Sequence, residues 1–253
     1  MRFLSRRLSL VLFLLTLSTT CFGQIFHVDP VKYIGFITLA GGTDLLNDAL
    51  DDDILGNVDA ADVASWDKDD VFILDRWAIL PQDAQLNDWS DYAIYTTAAA
   101  TIYIAANDYN RWDNFMVLSE ILLTQSAVVK WTKSVVQRKR PYVYDDNVTL
   151  KQKKDNDARH SFCSMHASSA FAMATYGYYF TYRNFGSSPA MATLLFGSAA
   201  ASAMLRVTSG QHFPTDVLAG ALIGSGISYL LCRFHDSGTE SIYLTSNGIG
   251  IRF

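Results

Sequence analysis

Cysteine and charge are what this sequence has least of. Three cysteines occur in 253 residues. Cys21 falls in a leader-like segment, which leaves Cys163 and Cys232. Two thiols permit one disulfide in an oxidising compartment but make no disulfide framework. Cys163 also sits inside a motif described below, which argues against that bond. No Cys/His spacing resembles a zinc site. Charged residues make up 18% of the chain, less than the usual quarter. Close-packed, small-residue helices or a membrane-embedded interior would account for that. Basic residues are the minority, 20 against 25 acidic ones, so a nucleic-acid partner is not expected.

Apolar residues are plentiful: 50% of the chain is hydrophobic and 13% aromatic. This is enough for one sizeable core and argues against disorder. Residues 1–23 read as a secretory signal. Arg2, Arg6 and Arg7 form its basic region, Leu8 to Leu17 its apolar region, and Cys21, Phe22 and Gly23 an acceptable cleavage site. Cys21 is a poor site for lipid attachment, because Ser18 stands where an apolar residue is usual. Loss of the three arginines takes the net charge from −5 to −8 (−5 − 3). The chain is expected to work outside the cytoplasm, at the inner membrane or in the periplasm.

Residues 24–89 read as an N-terminal helix, His27–Leu50, followed by an acid-rich stretch, Asp51–Asp70. That stretch lacks the glycine and terminal glutamate of an EF-hand. It is expected to be a solvated acidic linker without a metal. Val71–Leu80 suits a short helix packed on the main body. Residues 90–234 hold five segments of helical length: Tyr92–Ala106, Asn114–Arg138, Ser164–Tyr182, Ala190–Arg206 and Pro214–Phe234. All are rich in Ala, Ser, Thr and Gly, which lets helices approach closely. The last has the best claim to cross a bilayer, at about twenty residues. The loops NDYNRWDN and YRNFGSSP lack the lysine and arginine excess of a cytoplasmic side. Residues 235–253 end in SIYLTSNGIGIRF, where apolar alternation around Asn247 and Gly248 predicts a β-hairpin. The fold class is thus all-α, a bundle of about six helices with a short C-terminal hairpin.

Three clusters carry the chemistry. In the first, Lys133 and Arg140 are seven residues apart. That is two helical turns, so both lie on one face of a helix that Pro141 then stops. Two aligned cations suit an anion, although a basic helix end is also favoured by the macrodipole. In the second, Ser164 is placed to cap a helix whose first N–H groups, that of Met165 among them, point at an anion. His166 stands in its first turn. In the third, Arg206 precedes a turn, His212 and a helix opened by Pro214. Asp216, four residues after His212, could accept a hydrogen bond from one ring nitrogen and leave the other free to attack. The same spacing also suits an ordinary surface His–Asp contact.

In this order, with these gaps, the clusters resemble the type 2 phosphatidic acid phosphatase family, which shares its active site with the vanadium haloperoxidases. The family pattern is a lysine, six residues and Arg-Pro; then Pro-Ser-Gly-His; then Ser-Arg, five residues, His, three residues and Asp. Lys133, Arg140 and Pro141 complete the first motif. Cys163, Ser164, Met165 and His166 keep the serine and histidine of the second. Leu205 replaces the serine of the third, while Arg206, His212 and Asp216 hold register. Met165 for glycine tightens or shifts the backbone approach to phosphate.

The resemblance covers about residues 90–234 and implies metal-free phosphomonoester hydrolysis with no cofactor. Lys133, Arg140 and Arg206 would neutralise the phosphoryl oxygens, with Ser164 and the Met165 N–H. His212 would attack phosphorus and Asp216 would fix its tautomer. His166 would protonate the leaving oxygen and then activate water. The expected substrate is a lipid phosphate, with membrane association. Small soluble phosphomonoesters are the alternative. The same residues would serve a vanadate-dependent haloperoxidase, and Met165 leaves room for an inactive anion-binding envelope protein. The loop Tyr142–His160 could overhang the site, and its lysines could draw in acidic substrates.

Overall fold

The computed structural model describes residues 24–238 and the backbone of residues 241–245 and 248–252. The signal expected at residues 1–23 and the turn residue Asn247 lie outside the described residues. The helices are α1 Pro30–Leu55, α2 Ala60–Ala64, α3 Ala84–Ala106, α4 Arg111–Val136, α5 Leu150–Lys153, α6 Met165–Phe185, α7 Pro189–Thr208 and α8 Pro214–His235. The architecture is a helical bundle. In the tail, Ser241–Thr245 (β1) and Gly248–Arg252 (β2) run antiparallel, with Ser241 opposite Arg252.

Four of the long helices, α1, α3, α6 and α7, begin where the preceding side chain accepts from the unpaired N–H groups of the first turn. Asp29 accepts from Val31 N at 2.9 Å and Asp83 from Leu86 N at 3.0 Å. Ser164 and Ser188 take the N–H groups of Ala167 and Met191, each at 3.4 Å. Prolines occupy the first position of α1, α7 and α8, where the missing N–H costs nothing.

Two expectations change. Val71–Leu80 does not form a helix beyond a single 3₁₀ turn at Arg76–Ala78. The acid-rich stretch is not a bare linker either. Asp51, Asp52 and Asp53 belong to α1, and Asp51 accepts from Ser134 Oγ of α4 at 2.5 Å. Asp59 caps α2 and Asp67 caps a 3₁₀ turn. These carboxylates satisfy helix starts and bind α1 to α4. Lys130 of α4 completes that seam, reaching Asp44 at 2.7 Å and Asp48 at 2.8 Å.

Helix α6 is the centre and touches α3, α4, α7 and α8. Its closest neighbour is α8. A Cβ on Gly220 would stand 2.4 Å from the Ser164 carbonyl oxygen, and one on Gly224 would stand 2.0 Å from that of Ser168. Only glycine permits this approach. One apolar cluster, including Phe26, Ile121, Tyr176 and Phe180, fills the bundle between α4, α6 and α8. A second, with Val143, Ala158, Val207 and Phe213, lies under the loops where α4, α6 and α8 bring their ends together. Cys163 and Cys232 are buried free thiols.

Gly224→Ala should therefore lower stability by about 1–3 kcal/mol or more, read as a fall in thermal midpoint of about 2–4 °C per kcal/mol. Gly226, on the same helix with nothing within 4 Å of its added Cβ, is the control. Its change to alanine should be neutral or should gain up to about 1 kcal/mol.

Candidate active site

All three clusters arrive at one end of the bundle. The first does so by a different route from the one its spacing suggests. Helix α4 ends at Val136, and Gln137 turns left-handed at φ 49°. Arg140 is extended, at φ −75° and ψ 155°, just before the 3₁₀ turn Pro141–Tyr144. Lys133 and Arg140 thus do not share a helix face. The residue before a proline is kept out of the helical region, so the helix unwinds early and the chain turns Arg140 back. The returning loop is pinned there: Arg140 N donates to Ala158 O and Ser161 N to Arg138 O, each at 2.9 Å.

Lys133 Nζ donates to the His160 carbonyl at 2.7 Å. Arg140 is almost fully buried. Its Nε donates to Asp157 O at 2.8 Å and its Nη2 to Asp157 Oδ1 at 2.6 Å. Its Nη1 donates to the Gln211 carbonyl at 3.1 Å and stands 3.4 Å from His212 Nε2. Arg206, at the end of α7, donates from Nη1 to Asn87 of α3. Its buried Nε has no partner among the described residues, a donor that a phosphate oxygen could satisfy.

Ser164 caps α6 as expected, and its own N–H donates to Asp216 O at 3.0 Å. That bond sets the start of α6 beside the start of α8. The Met165 N–H lies in the first turn, where helix N–H groups have no intrahelical acceptor. His166, one residue on, bonds through Nε2 to Asp91 Oδ1 of α3 at 2.9 Å.

His212 is buried, and its partner differs from the expected one. Its Nδ1 faces the Ser161 carbonyl at 2.8 Å. Asp216 Oδ2 is 3.9 Å from Nδ1, too far for a hydrogen bond. The Asp216 carboxylate is occupied elsewhere. Oδ2 accepts from Ser161 Oγ at 2.5 Å and from Phe213 N at 2.8 Å, and Oδ1 accepts from Arg138 Nη1 at 2.6 Å. Asp216 stands at the third position of α8 and reaches back to the N–H before the helix, half of a capping box. A carbonyl can only accept, so Ser161 assigns the proton to Nδ1 and leaves the lone pair on Nε2, which faces the Arg140 Nη1 donor at 3.4 Å. Asp216 acts on His212 by holding Ser161.

The electrostatics follow from this crowding. Burial and then the nearby Arg140 pull the Lys133 pKa down to about 8. Burial, with Arg140, Lys133 and Arg206 in turn, holds His212 well below its usual value. Burial and Arg206 lower His166, and Asp91 opposes them. Arg140 contributes to the lowering of Lys133 and of Arg206, and cations gathered in this way suit an anion of multiple charge. Among the described residues no group of three His, Cys, Asp or Glu is arranged to hold a metal ion.

Sequence reasoning did not single out Ser161, Asp157, Asn87, Asp91, Gln211 or Arg138. Ser161, Asp157, Gln211 and Arg138 lie inside or beside the motifs and carry no distinctive spacing. Asn87 and Asp91 come from α3, far along the chain. The loop Tyr142–His160 contributes a carbonyl and Asp157, rather than its lysines, to the cations described here.

Two measurements follow. Binding of inorganic phosphate, followed by calorimetry, should weaken as pH rises through about 8 while Lys133 loses its proton, and Lys133→Arg should remove that loss. Asp91→Asn deletes the neighbour that favours protonated His166, so the His166 midpoint in an NMR titration should move further down.

None of the curated proteins matches the chain. Among solved structures, the chain is similar to the crystal structure of a transmembrane PAP2-type phosphatidylglycerolphosphate phosphatase from Bacillus subtilis. The likeness has 22% identity and a TM-score of 0.47, and covers 78% of this chain and 96% of that one. The family model described as PAP2 superfamily matches residues 114–239, the stretch that holds Lys133, Arg140, Ser164, His166, Arg206, His212 and Asp216. By that match residues 114–239, just under half of the chain, resemble the PAP2 superfamily, and the chain is, by class, a phosphoric monoester hydrolase.

Proposed function

We propose that the protein hydrolyses lipid phosphates through a phosphohistidine on His212, without a metal ion. The observation that carries this is the pairing of His212 with its surroundings. One ring nitrogen is tied to the Ser161 carbonyl at 2.8 Å, and the other faces an arginine inside a cluster of cations. In the proposed reaction Lys133, Arg140 and Arg206 bind the phosphoryl oxygens, with the Met165 N–H at the start of α6. His212 Nε2 forms a bond to phosphorus as the ester oxygen leaves in line. His166 gives that oxygen its proton and then takes one from the water that releases phosphate. Bound phosphoryl charge spreads over its outer oxygens in the transition state, where fixed cations stabilise it further.

The lipid part of the reading rests on the outer surface. Helices α7 and α8 are long and apolar enough to cross a membrane. Leu218, Leu222, Leu230 and Phe234 of α8 are exposed, as are Val31, Ile34, Leu39 and Leu45 of α1. Such apolar faces suit a membrane environment. The site is read as lying at the membrane surface of the cell envelope.

The test is phosphate release from a panel of lipid and soluble phosphomonoesters, in EDTA, with membrane and soluble fractions. Release from the lipid members, inhibition by vanadate and no turnover in His212→Ala are expected. His166→Ala should slow turnover by about 10²–10⁴-fold. Preference for soluble esters would remove the lipid assignment, and turnover in His212→Ala would remove the nucleophile. Bromination with vanadate and peroxide, without phosphate release, would replace the whole reading by a peroxidase.

A further inference from the structure

Behind the site lies a chain of buried and half-buried polar groups that starts outside the matched family segment. Asp75 comes from the stretch before α3, ahead of residues 114–239, and is fully buried. Its Oδ1 accepts from Thr215 N at 3.1 Å, and its Oδ2 from Thr215 Oγ1 at 2.5 Å and Arg138 Nη2 at 2.7 Å. Arg138 bridges onward. Its Nη1 donates to Asp216 Oδ1 at 2.6 Å and to Thr215 Oγ1 at 2.7 Å, and its guanidinium lies over the Phe213 ring at 4.5 Å. Asp216 holds the Ser161 hydroxyl, and the Ser161 carbonyl holds His212 Nδ1.

Charge explains why one carboxylate would not suffice. Arg138 sits against Asp216, and a lone ion pair there would cancel the field of Asp216 at the imidazole. With Asp75 on the other edge of the guanidinium, two carboxylates face one cation. One net negative charge then stays near His212, with Asp216 Oδ2 3.9 Å from Nδ1. His212 becomes cationic when its Nε2 bonds to phosphorus, so that charge stabilises the transition state more than the resting ring.

We propose that Asp75 is a positioning residue for His212. It offsets the charge of Arg138, so that the field of Asp216 at the imidazole is not cancelled, and fixes the first turn of α8 through Thr215. The inference rests on His212 being the nucleophile proposed above.

The test compares wild type, Asp75→Asn, Arg138→Gln and the double variant. Asparagine keeps the shape of Asp75 and one acceptor. A pocket of about 490 Å³ lined by Arg138, Lys139, Tyr144 and Thr215 lets water reach the space that the shorter side chain in Arg138→Gln would leave. On a soluble aryl phosphate, Asp75→Asn should lose about tenfold or more in kcat with KM within about twofold, the pattern of an interaction made in the transition state. The double variant should regain most of that loss, because Asp216 is again unopposed. Retained kcat in Asp75→Asn overturns the proposal, and so does a double variant whose loss is the product of the single ones, which marks packing alone. ¹⁵N NMR of His212 reads the same question without turnover. Wild type should carry its proton on Nδ1, and Asp75→Asn should show mixed tautomers. Identical spectra overturn the relay, whereas a changed spectrum in a protein that releases no phosphate sinks the phosphatase reading and leaves the relay standing.

Discussion

The site depends on two helices touching backbone to backbone. Gly220 and Gly224 of α8 leave no room for a side chain against Ser164 and Ser168 of α6. The Ser164 N–H closes the contact on the Asp216 carbonyl. Through this crossing, the helix start that carries His166 and the one that follows His212 face a common point. Helix N-termini carry partial positive charge, and the crossing sets two of them beside the cluster of cations. Any side chain at Gly224 would spread the helices and separate His166 from His212.

Cations gathered this closely oppose one another, and the fold restrains them by different means. Asp157 and the Gln211 carbonyl hold Arg140, Asn87 holds Arg206, and the His160 carbonyl holds Lys133. Among the described residues, Arg140 alone of the three has a carboxylate directly on it. Lys133 and Arg206 are held by neutral acceptors, which fix direction without cancelling charge. A phosphate binding among them relieves their mutual repulsion, so part of its affinity comes from the arrangement rather than from new contacts. The depressed Lys133 pKa is the trace of burial and that repulsion together.

The segment between α1 and α3 has more to do than its composition suggests. Its acidic residues read as solvated, yet several of them cap helix starts or bind α4. Asp75 goes deeper and joins the hydrogen-bond chain that ends on His212. Nothing in the local pattern distinguishes it from Asp69 or Asp70, which stay exposed. Burial among Arg138 and Thr215 is what makes it different.

Helix existence was legible because apolar runs and caps are local signals, and Ser164 stands at a real helix start; the caps Asp29, Asp83 and Ser188 became evident only in the structure, where the helix expected from Tyr92 already begins at Ala84. The site residues were legible because three motifs hold fixed gaps, and Lys133, Arg140, Ser164, His166, Arg206 and His212 do converge. Direction was not legible. A seven-residue gap suggested one helix face for Lys133 and Arg140, but Pro141 forces the helix to end before it reaches Arg140. A four-residue gap suggested a His212–Asp216 bond, but the capping demand of Phe213 and the charge of Arg138 claim that carboxylate first. Sequence by itself determined which residues carry charge, cap helices and share a motif, since those properties belong to the residue and its near neighbours. Tertiary structure alone decided which acceptor each donor meets, because partners such as Asp75, Asp91 and Asn87 compete across distances along the chain that local spacing does not encode.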